Sequence, residues 1–342
     1  MKFFSYLFML LITCQQNPVF LEWGCLSNIP DKIGFAGSFA GISNNTLIVA
    51  GGANFPDGGA PWLGSKKVWH SQVFALENGK QEWKLVGELP KPLGYGVSIS
   101  TDQGLILVGG SNEEGHYDNV YRLEYADGKI SYNELPSLPK PLANSSGVIL
   151  DDVIYIMGGT VDPTSVEAES NFWSLDLNNI DAGWNVLESW PGPSRMLAVA
   201  GVDDKSVYLF SGAHLKEGTR EYLSDSYRYT EDKRWEKLSD LPRSAVAAPT
   251  PAYMDGNSNL LVFGGDDGSF VKIDPQKEQH PGFTKSVLSY NSDGDEWKEI
   301  AEQIGDAPVT TSLVVWNNKV IIPGGEIRPA VRTTQVRTVI EK

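Results

Sequence analysis

Six short apolar segments, each ending in a pair of small residues, constrain the fold of this 342-residue chain more than any other feature. Glycine is the second residue of every pair, and the steps between successive glycines are 58, 49, 53, 53 and 60 residues. The segments occupy residues 46–52, 105–110, 153–159, 207–212, 260–265 and 320–325. Their continuous apolar character predicts strands buried on both faces, and the period indicates a repeat architecture.

A second marker recurs out of phase with the first. An aromatic residue stands seven positions before a proline in the pairs Trp23–Pro30, Trp83–Pro90, Tyr132–Pro139, Trp184–Pro191 and Trp235–Pro242. Trp297 occupies the sixth equivalent position without a proline at that distance. Further strand-like segments lie between the two markers at 68–76, 119–125, 172–177 and 286–291. Each unit therefore predicts four antiparallel strands, with the glycine pair ending the second and the aromatic residue on the fourth.

The two ends of the chain complement each other. Trp23–Pro30 marks a fourth strand with no first three before it, and residues 333–340 form a third strand with no fourth after it. We predict that the N-terminal strand completes the sixth blade, which closes the ring and removes an open edge. The sequence thus predicts an all-β fold, a six-bladed kelch-type β-propeller formed as one domain by residues 20–342.

Composition agrees with this fold and limits the partners. The chain has 35 Gly, 10 Trp and 13 Tyr against 21% charged residues, which is typical of short strands joined by tight turns. Its net charge of −15 repels phosphate backbones, so we expect no nucleic-acid partner. The body of the chain has no apolar run of 18 residues, so it is not expected to span a membrane.

The first 14 residues have the pattern of a signal peptide. Lys2 precedes an apolar run at 3–12, and this run is followed by Thr13-Cys14. The ending resembles a bacterial lipobox, so a lipid anchor at Cys14 and simple cleavage both stay open. Either implies a periplasmic or outer-membrane-associated protein. Cys25, the other cysteine, is expected to be an unpaired, buried small residue.

Propeller geometry localises the candidate site. The loops into the first strand and between the second and third strands emerge on the same face, so their residues surround one mouth of the central channel. These residues are Asn54, Phe55, Tyr95, Asn112, Glu113, Asn144, Thr160, Asp162, Arg195, His214, Ser244, Asp266, Asp267 and Glu326.

Glu326 and Arg332 form the candidate constellation at this mouth. A carboxylate near a guanidinium is a potential general base beside an anion clamp, and the alternative is a rim salt bridge of little energetic value. Arg195, judged from the sequence alone, has the character of a solvated turn arginine. The four histidines (His70, His116, His214 and His280) lack metal-ligand spacing and are interpreted as surface or loop residues. No metal or cofactor is expected.

Several motifs resemble the cyclically permuted mutarotase family, which includes the periplasmic N-acetylneuraminate mutarotases (epimerases). They are Gly34-Phe35-Ala36-Gly37-Ser38-Phe39-Ala40-Gly41-Ile42-Ser43-Asn44-Asn45, Ala50-Gly51-Gly52-Ala53, Tyr95-Gly96-Val97-Ser98, and the run from Gly324 to Thr333. The resemblance covers all six blades, although the Gly-Glu motif lies here in the last blade instead of mid-chain. A closed ring tolerates such a rotated start.

The resemblance implies a cofactor-independent isomerase with Glu326 as the general base and Arg332 beside it. It also matches Arg195, which follows a Gly-Pro turn, and the position at the mouth adds Asn54, Tyr95 and Arg328 as substrate-binding residues. The expected reaction converts the α anomer of N-acetylneuraminate into the β anomer through ring opening, with an arginine holding the sugar carboxylate. The alternatives are mutarotation of another sugar, or a non-catalytic kelch module that binds glycans or proteins.

Overall fold

Six four-stranded antiparallel sheets follow one another along the chain in this computed structural model, which describes residues 20–230, 232–270, 280–300 and 304–342. The first three blades are formed by Phe39–Ser43, Thr46–Ala50, Gln72–Glu77 and Lys84–Glu88; by Val97–Thr101, Gly104–Val108, Val120–Ala126 and Lys129–Leu135; and by Ser146–Leu150, Val153–Met157, Phe172–Asp176 and Asn185–Val186. The predicted third strands agree with the observed ones to within a few residues.

The last three blades have the same order. They are formed by Val199–Val202, Val207–Phe210, Ser226–Tyr229 and Trp235–Leu238; by Tyr253–Met254, Asn259–Phe263, Val287–Asn291 and Glu296–Ile300; and by Val314–Trp316, Lys319–Pro323, Val336–Glu341 and Leu21–Leu26. Within the described ranges, the loops also contain three two-stranded ribbons and two short 3-10 helices. The ribbons are Ala53–Asn54 with Val68–Trp69, Ala213–Lys216 with Thr219–Tyr222, and Glu326–Arg328 with Val331–Arg332; the helices are Pro61–Leu63 and Leu177–Ala182.

The N-terminal strand completes the sixth blade, as predicted. Leu21–Leu26 pairs antiparallel with Val336–Glu341 in continuous register from Leu21–Glu341 to Leu26–Val336. The loop that follows strengthens the closure, because the Ile29 amide donates to the Thr334 carbonyl at 2.9 Å. The fold is therefore a closed six-bladed kelch-type β-propeller.

Five of the six predicted apolar runs are buried on both faces, while Val153 and Tyr155 of the third blade are only half-buried. Every residue of Thr46–Ala50, Gly104–Val108 and Asn259–Phe263 is buried. Each of these strands packs against its own blade on one side and the next blade on the other, so the core is a set of interfaces between neighbouring sheets.

The recurring aromatic residue connects each blade to the one before it. The indole Nε1 of Trp184 donates to the Pro136 carbonyl at 2.8 Å, that of Trp235 to Glu188 at 3.0 Å, and that of Trp297 to Ser239 at 3.1 Å. Each acceptor lies in the turn after the fourth strand of the preceding blade. Trp297 makes this contact without a downstream proline, so the aromatic residue defines the repeat and the proline only shapes the turn.

A second set of inter-blade bonds surrounds the central channel. Six residues, one from each blade, each donate a backbone N–H to the carbonyl of the equivalent residue in the neighbouring blade, at 2.7–2.8 Å. This hydrogen-bond ring comprises Gly37, Tyr95, Asn144, Leu197, Ala247 and Thr310, all with φ between 54° and 66°. Positive φ is costly for bulky side chains, so the ring persists because six mutual hydrogen bonds hold it.

Two expectations about the cysteines have different outcomes. Cys25 is exposed, not buried as predicted, because it lies on the outermost strand of the sixth blade, where its Sγ accepts a hydrogen bond from Gln335 Nε2 at 3.1 Å. The predicted signal segment, including Cys14, lies outside the described residues. Within the residues described, no helix has the length and apolar character needed to cross a bilayer.

Candidate active site

A cavity of about 330 Å³ opens at one mouth of the channel, beside the ribbon that begins at Glu326. Its floor includes Leu197, Ala247 and Thr310 of the hydrogen-bond ring. Its walls are formed by Trp62, Arg220, Tyr222, Val246, Asp266, Phe270, His280, Phe283, Val309, Glu326 and Pro329. This volume is typical of sites that enclose one small molecule.

Backbone geometry brings Glu326 to this cavity. Gly325, with φ of 93°, ends the second strand of the sixth blade and turns the chain into the ribbon Glu326–Arg328. The Glu326 amide then donates to the Val309 carbonyl and the Val309 amide donates back, both at 2.9 Å. Because Val309 adjoins Thr310 of the ring, the position of Glu326 is fixed relative to the channel.

The Glu326 carboxylate has two polar contacts. Its Oε2 lies 2.7 Å from Arg332 Nη1, and its Oε1 accepts a hydrogen bond from the Ala330 amide at 3.1 Å. Burial nevertheless raises the pKa of Glu326, and it outweighs the opposing influence of Arg332, the Ala330 amide, Lys67 and Arg220. A carboxyl group with a raised pKa at a cavity is suited to taking and returning a proton near neutral pH.

Arg332 is the buried ion-pair partner of Glu326. Its side chain is only 3% exposed, and its guanidinium lies 4.9 Å from the centre of the buried Phe55 ring. Within the described structure, its Nε and Nη1 make no aligned hydrogen bond, so its contact with Glu326 is an electrostatic ion pair. The cavity wall does not include Arg332. The structure therefore brings the predicted pair together but places only Glu326 in reach of a ligand.

Arg195 does not fulfil its predicted substrate-binding role. Its side chain is 0% exposed and makes a bidentate ion pair with Asp225 at 2.8 and 2.9 Å, while Nη1 also donates to the Ser211 carbonyl at 2.8 Å. The guanidinium lies between the rings of Trp190 and Tyr227. Arg195 is therefore a buried structural residue and not a solvated turn arginine.

Asn54 is likewise occupied by structural contacts. Its Nδ2 donates to the Gly34 carbonyl at 3.0 Å, and its Oδ1 is bonded to His70 Nε2 at 2.9 Å. These bonds connect the first loop of blade 1 to its second loop. The predicted substrate contact of Asn54 is therefore corrected to a role in holding the mouth together.

Tyr95 and Arg328 lie nearer to the site. Tyr95 lines the narrow channel at the hydrogen-bond ring, and the Lys67 ammonium lies 5.1 Å from the centre of its ring. Arg328 is half-buried on the ribbon of Glu326, and its charge acts on the cavity residue His280. Neither side chain forms part of the 330 Å³ cavity wall itself.

His280 belongs to the site, although the sequence indicated only a surface or loop histidine. Its Nδ1 accepts a hydrogen bond from the Gly282 amide at 3.1 Å, which leaves the proton on Nε2. Burial lowers the pKa of His280; Asp266 opposes this effect and Arg328 adds to it. The imidazole is therefore neutral at pH 7 and retains a proton that it can donate.

A ribbon from blade 4 contributes two further residues that sequence reasoning missed. Arg220 and Tyr222 alternate along Thr219–Tyr222 and both line the cavity. Tyr222 donates its hydroxyl proton to Asp266 Oδ2 at 2.9 Å. The available signal was that this ribbon follows the Ser211-Gly212 pair of blade 4, as the ribbon of Glu326 follows the glycine pair of blade 6. Across the described ranges, no cluster of three or more His, Cys, Asp or Glu residues could hold a metal.

The fold and the site together define a six-bladed kelch-type β-propeller with an ion-paired carboxylate in a small-molecule cavity at one mouth. The sequence matches the N-acetylneuraminate epimerase family over residues 15–132 and 135–273, and the chain belongs to this family.

Individual relatives agree with this assignment. The N-acetylneuraminate epimerase of Haemophilus influenzae (strain PittEE) is 26% identical over 223 residues, which cover 58% of this chain and 57% of the relative. That of Yersinia pestis (strain Pestoides F) is 42% identical over 106 residues, covering 28% and 26%. The matches thus span little more than half of the Haemophilus influenzae relative and about a quarter of the Yersinia pestis relative. The solved structure of YjhT superposes with a TM-score of 0.69 at 16% identity, covering 93% of this chain and 99% of that one, and shares the fold.

Proposed function

We propose that this chain is an isomerase that interconverts the anomers of N-acetylneuraminate. The observation that supports this most strongly is the position of Glu326, a carboxyl group with a raised pKa that faces a cavity of about 330 Å³. The family assignment supports the choice of sugar, since the relatives are N-acetylneuraminate epimerases.

The reaction needs two proton transfers and no redox change. Glu326 removes the proton of the anomeric hydroxyl, the bond between the anomeric carbon and the ring oxygen breaks, and the ring oxygen takes up a proton. These steps give the open-chain ketone as an intermediate. Its carbonyl group rotates to present the other face, and the ring closes on that face by the reverse steps. Glu326 can return its proton, and the neutral His280 in the same cavity is a second donor.

Local charge favours an acidic sugar despite the net charge of −15. Arg332, Lys67 and Arg220 all act electrostatically on Glu326, so three positive charges surround a cavity whose wall also holds the carboxylates of Asp266 and Glu326. Such local cations can attract an anion to a protein of net negative charge.

Exchange NMR between the two anomers tests this proposal. The wild-type chain should accelerate the α-to-β conversion, and Glu326→Gln should lose about 10²-fold or more of the activity, as expected for removal of a general acid–base. The matched control is Glu236→Gln, since Glu236 also pairs with an arginine at 2.7 Å but lies on an outer strand. Full activity in Glu326→Gln would refute the mechanism.

Two alternatives have distinct outcomes in the same assay. A mutarotase for another sugar would be inactive on N-acetylneuraminate and active on a different member of a panel of anomerically pure sugars. A non-catalytic glycan-binding module would bind a sugar without accelerating exchange, and its binding would not depend on the acid–base function of Glu326.

We further propose export to the periplasm, with or without a lipid anchor at Cys14. This proposal rests on Lys2, the apolar run at 3–12 and the position of Cys14. Mass spectrometry of the mature protein discriminates the outcomes. Lipidation would add an acyl mass at Cys14 that Cys14→Ser removes, cleavage alone would leave no such mass, and an intact N-terminus in the cytoplasm would refute export.

A further inference from the structure

The arginine beside the acid–base residue does not line the cavity. Arg332 is almost fully buried, paired with Glu326 and covered on one side by Phe55. A substrate carboxylate in the cavity therefore needs another cation. Lys67 is half-buried, with its ammonium near the rings of Trp69 and Tyr95, and it is not part of the cavity wall.

Arg220 is the exposed cation of the cavity wall. Among the residues that the structure describes, none forms an ion pair within 4 Å with Arg220, so these residues leave its guanidinium available to a ligand. It is nevertheless close enough to influence the pKa of Glu326. An arginine with an uncommitted fork of donors is well suited to bidentate binding of a carboxylate.

The ribbon that presents Arg220 is anchored on both sides. The Leu215 carbonyl accepts from the Ala168 amide at 3.0 Å, and the Gly218 amide donates to the Val166 carbonyl at 2.9 Å. On the other side, Tyr222 is bonded to Asp266 of blade 5. These contacts hold the strand of Arg220 in place, so its guanidinium explores a limited region over the cavity.

We infer that Arg220 binds the carboxylate of the sugar and makes the ribbon of residues 213–222 the specificity element for acidic substrates. This inference rests on the proposed function. It divides the work between two arginines: the buried Arg332, outside the cavity wall, positions and tunes Glu326, and Arg220, in the cavity wall, holds the substrate. The anomeric carbon bears both the carboxylate and the reacting hydroxyl, so one anchored anion orients the hydroxyl toward Glu326.

The test compares N-acetylneuraminate with its neutral methyl ester, both followed by exchange NMR. Wild type should favour the acid, and Arg220→Gln should lower kcat/KM for the acid, mainly through KM, by about tenfold or more beyond its effect on the ester. The ester measures the part of the effect that arises from the influence of Arg220 on Glu326, which is the same for both substrates. Arg220→Lys should recover part of the loss because it keeps the charge without the fork. Arg234→Gln is the control, since Arg234 is an exposed arginine on an outer turn.

The outcomes separate this inference from the proposed function. If wild type accelerates exchange and Arg220→Gln affects acid and ester equally or neither, the inference is wrong and the function stands. If wild type accelerates neither, the proposed function fails and the inference fails with it. Thermal unfolding of each variant shows that the fold is retained, which the exposure of Arg220 leads us to expect.

Discussion

Replacing Arg332 by glutamine removes the cation whose Nη1 lies 2.7 Å from Glu326 Oε2. At 3% exposure the arginine is little screened by solvent or salt. An opposite charge within about 4–6 Å ordinarily lowers a carboxyl pKa by about one to three pH units. Burial already raises the pKa of Glu326 against the influence of Arg332, so removing that influence should raise the pKa further.

The sign of the kinetic effect follows from the role of Glu326. If the ionised carboxylate is the base, activity rises as pH increases through the Glu326 pKa, and the rising limb of kcat/KM should move to higher pH in Arg332→Gln. Exchange NMR over a pH series measures this limb after subtraction of the uncatalysed rate. Arg332→Lys retains the charge and should leave the limb near its wild-type position.

A limb that stays in place or moves to lower pH in Arg332→Gln would refute this reasoning. It would mean that Arg332 does not set the protonation of Glu326, or that another group limits the rate. Arg234→Gln provides the baseline for loss of one surface arginine. Thermal unfolding identifies a variant whose fold has been lost, and only folded variants enter the comparison.

Two further predictions concern stability. Asp225→Asn leaves the buried Arg195 without its anionic partner and should reduce the free energy of unfolding by about 3–5 kcal/mol in urea titrations. Burial opposes ionisation of Asp225 but Arg195 lowers its pKa overall, so this stabilisation is present above the unfolded-state pKa and is lost as pH falls through the lower folded-state value. Gly34→Ala would place a Cβ 2.0 Å from the Thr333 carbonyl at φ of 86°, and it should reduce both stability and anomer exchange because Thr333 adjoins the ion pair of the site.

Each of these predictions has a matched control. Glu236→Gln breaks an exposed pair with Arg228 and should cost about 0–1 kcal/mol, and an equal loss in Asp225→Asn would contradict the burial argument. Gly79 has a similar positive φ, but a Cβ added there would have no atom within 4 Å. Gly79→Ala should therefore leave activity unchanged. Unchanged activity in Gly34→Ala would show that the Thr333 backbone can move without disturbing Glu326.

The fold could be predicted from the sequence because its signals are local and repeated. A buried second strand needs a continuous apolar run, and the fourth strand needs an aromatic residue to reach the preceding blade, so both marks recur in every unit. Even Trp297, which lacks the proline, keeps its hydrogen bond to Ser239. Closure by the strand of Trp23 followed from counting strands and required no distance information.

The site could be predicted only in part because its partners are distant in sequence. Glu326 and Arg332 are six residues apart and pair across one ribbon, which a motif can reveal. Arg195 is neutralised by Asp225, 30 residues away, so its burial had no local signal. His280 reaches the cavity through the packing of blade 5 against the mouth, and nothing in its spacing distinguishes it from a loop histidine.

The hydrogen-bond ring around the channel has a consequence for how the site resists change. All six N–H groups point in the same rotational sense, so each residue donates through its N–H to one neighbouring blade and accepts through its C=O from the other. Leu197, Ala247 and Thr310 of this ring form the floor beneath Glu326. The hydrogen bonds that hold this floor are made by main-chain groups, which no side-chain substitution removes. Substitutions of the side chains in the cavity walls can therefore change the ligand without altering the main-chain hydrogen bonds next to Glu326.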